Sequence, residues 1–179
     1  MERAAHAAFE ATKRALPLVP MFLATHEYVV SASRCQGRSM QPTFNAEPDK
    51  PNVLLLNKLA GQRHWYSRGD VVVLHSPHAR EELLTKRVVG LPGDLVTRRD
   101  GNGSSVLVPQ GHLWVEGDNA EYSNDSNHFG PVAAGLVCAR VDALLWPLSD
   151  FGRRVRSRPP PSGRVMTSRG HWSAQAPEH

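Results

Sequence analysis

Cysteine is scarce in this sequence: Cys35 and Cys138 are the only two among 179 residues. They form no Cys-x-x-Cys pair, and neither has a histidine nearby at the spacing of a zinc ligand. A disulfide-rich scaffold and a cysteine-based zinc module are therefore excluded. We expect buried free thiols, although a fold that brings the two residues together would let them pair. Cys35 lies shortly before Ser39, but nothing in the local sequence marks it as a thiol nucleophile.

An uninterrupted apolar run long enough to cross a membrane is also missing. Residues 15–33 are apolar in their first half, but the polar residues at 25–27 interrupt them. A transmembrane helix needs about 20 apolar residues and tolerates a central carboxylate badly. The pattern leaves a marginal anchor and a buried or interfacial helix nearly equally open. We interpret residues 1–33 as an N-terminal helical segment and membrane anchor, in which Lys13 and Arg14 lie on the amino side of the apolar part.

Charge of one sign is not concentrated in a long stripe. The formal net charge is +4 at neutral pH, and the basic residues are scattered except in residues 153–158. A dedicated nucleic-acid role is disfavoured, because no basic stripe with interleaved aromatics is present. The C-terminal region also contains three prolines at 159–161 and little apolar surface. We therefore predict that residues 151–179 form a disordered Arg/Pro/Ser-rich tail.

Short β-branched runs alternate with turn-forming residues from about residue 28 onward. The chain contains 14 Gly and 14 Pro, and many of them lie between these runs. Strands this frequent, with no helical period between them, predict an antiparallel sandwich or barrel-like domain, which we place at residues 34–150. The predicted strands are 29–33, 53–57, 71–75, 83–89, 95–98, 106–108, 113–116 and 136–145.

Ser39 lies in a loop that contains Gly and Pro, with the sequence GRSMQPTF. A serine in such a loop is usually only a turn residue. Met40 and Phe44 can anchor this loop against an apolar core. On composition alone, Ser39 is a weak candidate for a nucleophile.

Lys86 lies inside an apolar strand, in the sequence ELLTKRVVG. Successive side chains of a strand point to opposite faces, so Lys86 and Arg87 cannot share one solvent-facing side. One of the two cations is therefore expected to face inward. Burial lowers the pKa of a lysine from about 10.4 toward neutrality. A neutral amine within reach of a serine hydroxyl can then remove its proton, as in Ser–Lys enzymes.

Residues 116–132 form a polar segment, which is typical of a solvated turn. Such a segment could also carry the side chains that orient the lysine amine.

Together, GRSMQPTF, KRVVGLPGD and GDNAEYSNDS resemble the ordered motifs of type I signal peptidases. NVLLLNK, RGDVVVLHSP, VPQGHLWVEGDN, DSNHFGPV and the terminal LWP are similar to the mitochondrial inner membrane protease branch of that family. The resemblance covers roughly residues 29–147.

The resemblance implies roles for particular residues. Ser39 would be the acylated nucleophile and Lys86 the general base. Ser123 would help to orient the lysine amine. Asp125 would be a structural carboxylate, paired with Arg87.

The resemblance also implies how an oxyanion would be held. The backbone N–H of Ser39 would be one donor. Bacterial relatives use a serine hydroxyl two residues before the nucleophile, but Gly37 occupies that position here. Losing such a donor costs about 3 kcal/mol of transition-state stabilisation, so another group is expected to substitute for it.

Histidines offer a competing arrangement. A Ser-His-Asp triad could use His75, His112 or His128, and His75 with His78 could begin a metal site. The sequence shows no third metal ligand, and the proline between His75 and His78 suits the end of a strand. Both alternatives are weaker than the Ser–Lys pair.

For the whole chain, the resemblance implies a membrane-anchored serine endopeptidase with a mainly β, signal-peptidase-like domain. It would face the mitochondrial intermembrane space and remove sorting peptides from precursor proteins, without a metal or organic cofactor. Its partners would be those precursors, the membrane and a homologous subunit 1 in a heterodimer. The alternative is a catalytically silent β module that stabilises a partner protease subunit. A self-cleaving Ser–Lys repressor is discounted, because the N-terminal region is too short and apolar for a DNA-binding helix pair.

Overall fold

Two antiparallel sheets organise the chain in a computed structural model, which describes residues 28–47, 50–79, 81–99, 103–160 and 163–167. The strands are β1 (Val30–Arg34), β2 (Val53–Asn57), β3 (Val71–His75), β4 (Leu83–Gly90), β5 (Leu95–Thr97), β6 (Ser105–Leu107), β7 (His112–Glu116), β8 (Val132–Ala133), β9 (Val137–Trp146) and β10 (Val165–Met166). The helical elements are α1 (Lys58–Gln62), α2 (Ser126–Phe129) and 3₁₀ turns at Ala120–Tyr122, Ala134–Leu136 and Leu148–Asp150.

The larger sheet has seven strands in the order β1-β2-β9-β3-β4-β7-β8. The smaller sheet has the order β10-β5-β6. The predicted mainly β, antiparallel fold is confirmed, and the predicted strands 53–57 and 71–75 have the observed bounds. The strands β8 and β10 were not predicted, because two residues are too few to show an alternating pattern.

The core consists of three apolar clusters. The first packs the loop after β1 against β2, β3 and β9, and it includes Met40 and Phe44. The second lies among β3, β4 and β7, and the third surrounds Trp114. Each fully buried aliphatic side chain contributes about 1.5–3 kcal/mol, so these clusters fix the strands that carry the polar residues described below.

The C-terminal segment differs from its prediction as a disordered tail. Residues 151–160 and 163–167, hereafter the C-terminal arm, lie along the body of the chain. Val155 packs on the first apolar cluster, and the Arg158 N–H donates to the Gly69 carbonyl at 3.1 Å. The arm then ends as β10, paired with β5. Composition alone misses these contacts because they use backbone groups and isolated valines.

Two predicted segments lie partly outside the described residues. These are residues 1–27 of the expected N-terminal anchor and residues 168–179 of the expected tail. Within the part of the chain that the structure describes, no helix is both long and apolar enough to span a bilayer.

Candidate active site

Ser39 lies in a tight turn after β1 that is fixed to the core. Met40 and Phe44 are both buried in the first apolar cluster, which confirms the predicted anchoring. The Phe44 N–H donates to the Met40 carbonyl at 2.9 Å and closes the turn. Ser39 itself is half-buried, so its position is set while its side chain stays accessible.

Two asparagines hold the base of the Ser39 turn. The Asn45 N–H donates to the side-chain oxygen of Asn52 at 2.6 Å, and the Asn52 N–H donates to that of Asn45 at 2.9 Å. The Asn45 amide also donates to the carbonyls of Cys35 and Gly37. Asn45 has a φ of 52°, a left-handed conformation that asparagine tolerates better than most residues. Side chains therefore replace the sheet hydrogen bonds that this irregular segment lacks.

Lys86 projects from β4 and is 3% exposed. Its Nζ donates to the Ser123 Oγ at 3.1 Å, and the Ser123 hydroxyl donates to Asp125 Oδ2 at 2.7 Å. A serine has only one hydroxyl hydrogen, and here it points to Asp125, so Ser123 can only accept from the lysine. In a neutral amine, this contact uses an N–H and leaves the lone pair for another group.

Asp125 is fixed by donors on several sides. It caps α2, and it accepts from the Gly117 N–H at 2.9 Å and from the Asn127 side-chain amide at 2.9 Å. Burial by itself would raise the pKa of Asp125, but the hydrogen bonds from Asn127, Gly117 and Ser123 hold that pKa below its ordinary value. The carboxylate is therefore ionised at neutral pH and serves as a fixed acceptor.

Burial lowers the pKa of Lys86 below its ordinary value. Asp125, Glu82 and Cys35 act against this shift, because negative charge nearby favours the ammonium form. The direction agrees with the expectation for a lysine inside an apolar strand.

Arg87 is buried as well, at 6% exposure, so both cations of the pair are buried rather than one. Its Nε and Nη2 contact the two carboxylate oxygens of Asp118 at 2.7 and 2.6 Å, and its Nη1 donates to the Gly69 carbonyl at 2.6 Å. The predicted pairing of Arg87 with Asp125 is wrong. Lys86 and Arg87 leave β4 on opposite faces, and Asp125 lies on the Lys86 side.

The Arg87–Asp118 pair connects three segments of the chain. The Thr43 hydroxyl, from the Ser39 turn, donates to Asp118. Burial would raise the pKa of Asp118, but the bonds from Arg87 and Thr43 hold that pKa below its ordinary value. The turn that carries Ser39 is thereby joined to β4 and to the loop that follows β7.

Ser39 and Lys86 line the same cleft, which has a volume of about 720 Å³. Residues 33–39 and residues 82–86 supply most of its lining. In the described part of the chain, β1 pairs only with β2, and residues 83–86 of β4 pair only with β3. Two open strand edges therefore border the cleft, an arrangement that suits an extended peptide.

Gly117 lies where the Ser39 turn meets the loop that carries Ser123. A Cβ at this position would overlap the Ser123 hydroxyl and lie 2.5 Å from the Ser39 carbonyl oxygen. The Asn119 N–H donates to the same carbonyl oxygen at 3.0 Å. Only glycine allows these two segments to approach so closely.

The backbone N–H of Ser39 has no acceptor among the described residues. It is therefore available to a ligand in the cleft. Gly37, which stands where a hydroxyl donor was expected, has a φ of 82°, and a Cβ there would meet no atom within 4 Å. The backbone conformation accounts for this glycine, whereas packing does not.

A further buried carboxylate belongs to Glu116 at the end of β7, 1% exposed. It contacts Arg99 Nη2 at 2.6 Å and Arg164 Nη2 at 2.8 Å. The Asn127 amide donates to both Glu116 and Asp125, and Arg99 Nη1 lies 3.9 Å from Asp125. Glu116, Arg99, Arg164, Asn127 and Asp125 are hereafter the Glu116 cluster.

Burial would raise the pKa of Glu116, but the bonds from Arg164 and other donors hold that pKa below its ordinary value.

The competing candidates do not gather around Ser39. None of His75, His112 and His128 lines its cleft. The His112 ring is bonded to the Gln110 carbonyl at 3.0 Å. In the described ranges, no group of three metal-ligating side chains comes together.

The two cysteines are free thiols in the structure. Burial raises the pKa of Cys35 despite hydrogen bonds to Asn45 and Thr85 and the nearby charge of Lys86. Since the thiolate is the nucleophilic form, this shift weakens the reading of Cys35 as a nucleophile.

Several residues of the site escaped the sequence analysis. They are Asn45, Asn52, Glu116, Asp118, Arg99, Asn127 and Arg164. A carboxylate that ends the apolar strand HLWVE was the one available signal, because a charge next to buried residues needs a partner. The partners themselves are distant in sequence, so no local pattern identifies them.

Comparison with known proteins gives consistent matches. The family model for signal peptidase, peptidase S26, matches residues 8–103 and 100–146. Mitochondrial inner membrane protease subunit 2 of Schizosaccharomyces pombe is 47% identical over 139 residues, which is 75% of either chain. Subunit 2 of Danio rerio is 38% identical over 143 residues (79% of this chain, 78% of the relative). Subunit 1 of Homo sapiens is 40% identical over 131 residues (70% and 75%).

A solved structure of a signal peptidase I from Enterococcus faecalis V583 is also similar, with 27% sequence identity and a TM-score of 0.36, over 42% of this chain and 95% of that one. The likeness inferred from the sequence motifs is confirmed by the matches in sequence.

Proposed function

Because the chain belongs to the signal peptidase, peptidase S26, family and is thus a signal-peptidase-type serine protease, we propose that Ser39 is its nucleophile and Lys86 its general base. The observation that carries this proposal is the shared cleft, which is lined by both a buried amine and an anchored, accessible serine. Ser123 and Asp125 support it, because they fix the direction in which the amine points.

Acylation follows from this arrangement. The Lys86 lone pair takes the proton from the Ser39 hydroxyl as Oγ attacks the scissile carbonyl carbon. The developing oxyanion accepts from the Ser39 N–H. The Lys86 ammonium then gives its proton to the leaving amine as the C–N bond breaks, and an ester on Ser39 remains.

Deacylation uses the same groups in reverse. The neutral Lys86 removes a proton from a water molecule, whose oxygen attacks the ester carbonyl. The second tetrahedral intermediate collapses, and Lys86 returns the proton to the Ser39 oxygen. Lys86 must be neutral when each cycle begins, so its lowered pKa favours the reaction near neutral pH.

The substrate is an extended peptide that pairs with the open edges of β1 and β4. Leu54 and Val73 line the cleft between those edges. A shallow apolar floor of this kind favours small side chains before the scissile bond. Main-chain pairing gives affinity with little dependence on the rest of the sequence.

In the cell, we place the chain at the mitochondrial inner membrane, as its relatives are named. Its catalytic domain faces the intermembrane space and removes sorting peptides from precursor proteins delivered there. The relatives named subunit 1 and subunit 2 support a heterodimer with a homologous subunit 1.

The test is cleavage of a presequence-bearing precursor by membranes that contain the partner subunit and either the full chain or a variant. Ser39→Ala and Lys86→Ala are each expected to abolish cleavage while keeping the level of the partner unchanged. Ser104→Ala and Lys50→Ala are matched controls, because both side chains are exposed and lie outside the cleft.

Full cleavage by Ser39→Ala or Lys86→Ala would refute the mechanism. It would favour the alternative in which the chain only stabilises its partner. That alternative also predicts that deletion of this chain lowers the amount of the partner, and that Ser39→Ala restores both the amount and the cleavage.

A further inference from the structure

Arg164 enters the Glu116 cluster from the C-terminal arm. Its Nη1 and Nη2 lie 3.1 and 2.8 Å from the two Glu116 carboxylate oxygens, and its Nη2 also donates to the Thr97 carbonyl at 2.9 Å. The family match ends at residue 146, so this cation comes from beyond the region that defines the family.

The charges of the cluster balance only when Arg164 is present. Glu116 and Asp125 are two buried carboxylates, and among the described residues Arg99 and Arg164 are the two cations in contact with them. Without Arg164, Arg99 would be the one described cation that contacts these two negative charges. Buried ions that lose a partner are costly, so the remaining groups would rearrange around the deficit.

The cluster is continuous with the amine of Lys86. Asp125 accepts from Ser123, and Ser123 accepts from Lys86 Nζ. Asn127 joins Asp125 to Glu116 through a single amide group. A change at Glu116 therefore reaches Lys86 through groups that are all in contact.

We propose that Arg164 is a positioning residue for the Ser39–Lys86 protease described above, on which this inference rests. It neutralises Glu116 so that Arg99 remains shared with Asp125, and Asp125 in turn keeps Ser123 directed toward Lys86. The C-terminal arm is thus part of the catalytic apparatus.

The proposal has a consequence for the pH dependence of cleavage. The charged or titratable groups that act on Lys86 are Cys35 from the segment after β1, Glu82 from the turn before β4 and Asp125 from the loop after β7. Only Asp125 belongs to the Glu116 cluster. An unbalanced negative charge there stabilises the ammonium form of Lys86, so a higher pH is needed to obtain the neutral base.

The experiment compares pH profiles of kcat and KM for the full chain with its partner subunit. Arg164→Gln is expected to lower kcat at neutral pH, to leave KM unchanged, and to move the acidic limb upward by about 0.5 pH unit. Arg164→Lys keeps the charge and is expected to retain the wild-type limb. Arg156→Gln is the control, since it removes an exposed arginine of the same arm that forms no ion pair within the described residues.

A double variant keeps the test decisive if Arg164→Gln folds poorly. Glu116→Gln with Arg164→Gln removes one charge of each sign, so the acidic limb is expected to return to its wild-type position. An acidic limb that is unchanged in Arg164→Gln, or still displaced in the double variant, would overturn the proposal.

Failure of this inference can be told apart from failure of the proposed function. If Lys86→Ala or Ser39→Ala still cleaves, the proposed mechanism is wrong, whatever Arg164→Gln does. If both of those variants are inactive and Arg164→Gln has the wild-type profile, only the role of Arg164 is wrong.

Discussion

At Ser123, one hydroxyl hydrogen determines how the lysine amine is presented. That hydrogen is engaged by Asp125, so the oxygen can only accept, and Lys86 must use an N–H to meet it. The lone pair of the amine is then free for the nucleophile. In the proposed mechanism, orientation as well as pKa makes Lys86 a base.

Ser123→Ala tests this orientation. Loss of a hydrogen bond to an ionisable group is expected to lower kcat by about 10- to 100-fold, with little change in KM. Ser105→Ala is the matched control, because its side chain is exposed and, within the part of the chain that the structure describes, bonds only to Thr97. Steady-state kinetics on a presequence peptide would measure both, and equal kcat values for the two variants would contradict the assigned role.

A second prediction concerns the buried pair of Arg87 and Asp118. Asp118→Asn leaves the guanidinium buried without a counter-charge, and we expect the free energy of unfolding to fall by about 3 kcal/mol. Asp150→Asn breaks an exposed pair with Arg153 and is expected to cost less than about 1 kcal/mol. Denaturant unfolding of both variants gives the comparison. Similar losses would mean that burial of the Arg87 pair does not matter.

Residues of the site differ in how far they can be predicted from sequence. Ser39, Lys86, Ser123 and Asp125 lie in recognisable motifs, and the structure brings all four to one region. Arg164 contacts Glu116 across a separation of 48 residues. A long-range pair of this kind has no local signature, so only the folded chain reveals it.

Among the elements, the loop after β7 carries a strict steric requirement at Gly117. Gly117→Ala is expected to push Ser123 and the Ser39 carbonyl apart and to abolish cleavage. Gly135→Ala is the control, because its φ is not positive and a Cβ there meets nothing within 4 Å. Activity and thermal unfolding should be measured for both, and an active Gly117→Ala enzyme would show that the loop adapts.

Strands were predictable to the extent that their burial alternates. In β9, buried and half-buried residues alternate along most of the strand, and the predicted range 136–145 nearly matches the observed Val137–Trp146. Arg87 shows where prediction from alternation fails. Alternation predicted one exposed cation beside Lys86, but the C-terminal arm and the Ser39 turn cover the other face too.

The C-terminal arm gives a prediction at the scale of an element. A chain that ends after residue 152 loses the Val155 contact, β10 and the Arg164 ion pair. We expect the free energy of unfolding to fall by at least about 2 kcal/mol and cleavage to be lost. A chain that ends after residue 167 retains every one of these contacts. Equal melting temperatures for the two truncations would refute a structural role of the arm.

For the whole molecule, three buried carboxylates set the response to acid. Glu116, Asp118 and Asp125 all have pKa values below their ordinary range in the folded chain. A depressed folded pKa adds stability that is fully present above the unfolded pKa and is lost as the pH falls toward the folded one. The contribution of these three carboxylates to the free energy of unfolding is therefore expected to be level above about pH 5.5 and to decline steadily below about pH 4.5.

Urea unfolding across this range would measure the effect. Asp118→Asn is expected to flatten the decline, because it removes one of the three titrating groups. A decline of the same steepness in that variant would assign the acid response to other groups.

The position of Arg164 after the catalytic motifs in the sequence also has a consequence in time. The ribosome synthesises Ser39 and Lys86 before it reaches residue 164. A growing or partly translocated chain therefore holds both reactive groups without the cation that balances Glu116. On the role proposed for Arg164, such a nascent chain would hold less of its Lys86 in the neutral form near neutral pH. Full activity is then expected only after residue 164 has been synthesised and has reached Glu116.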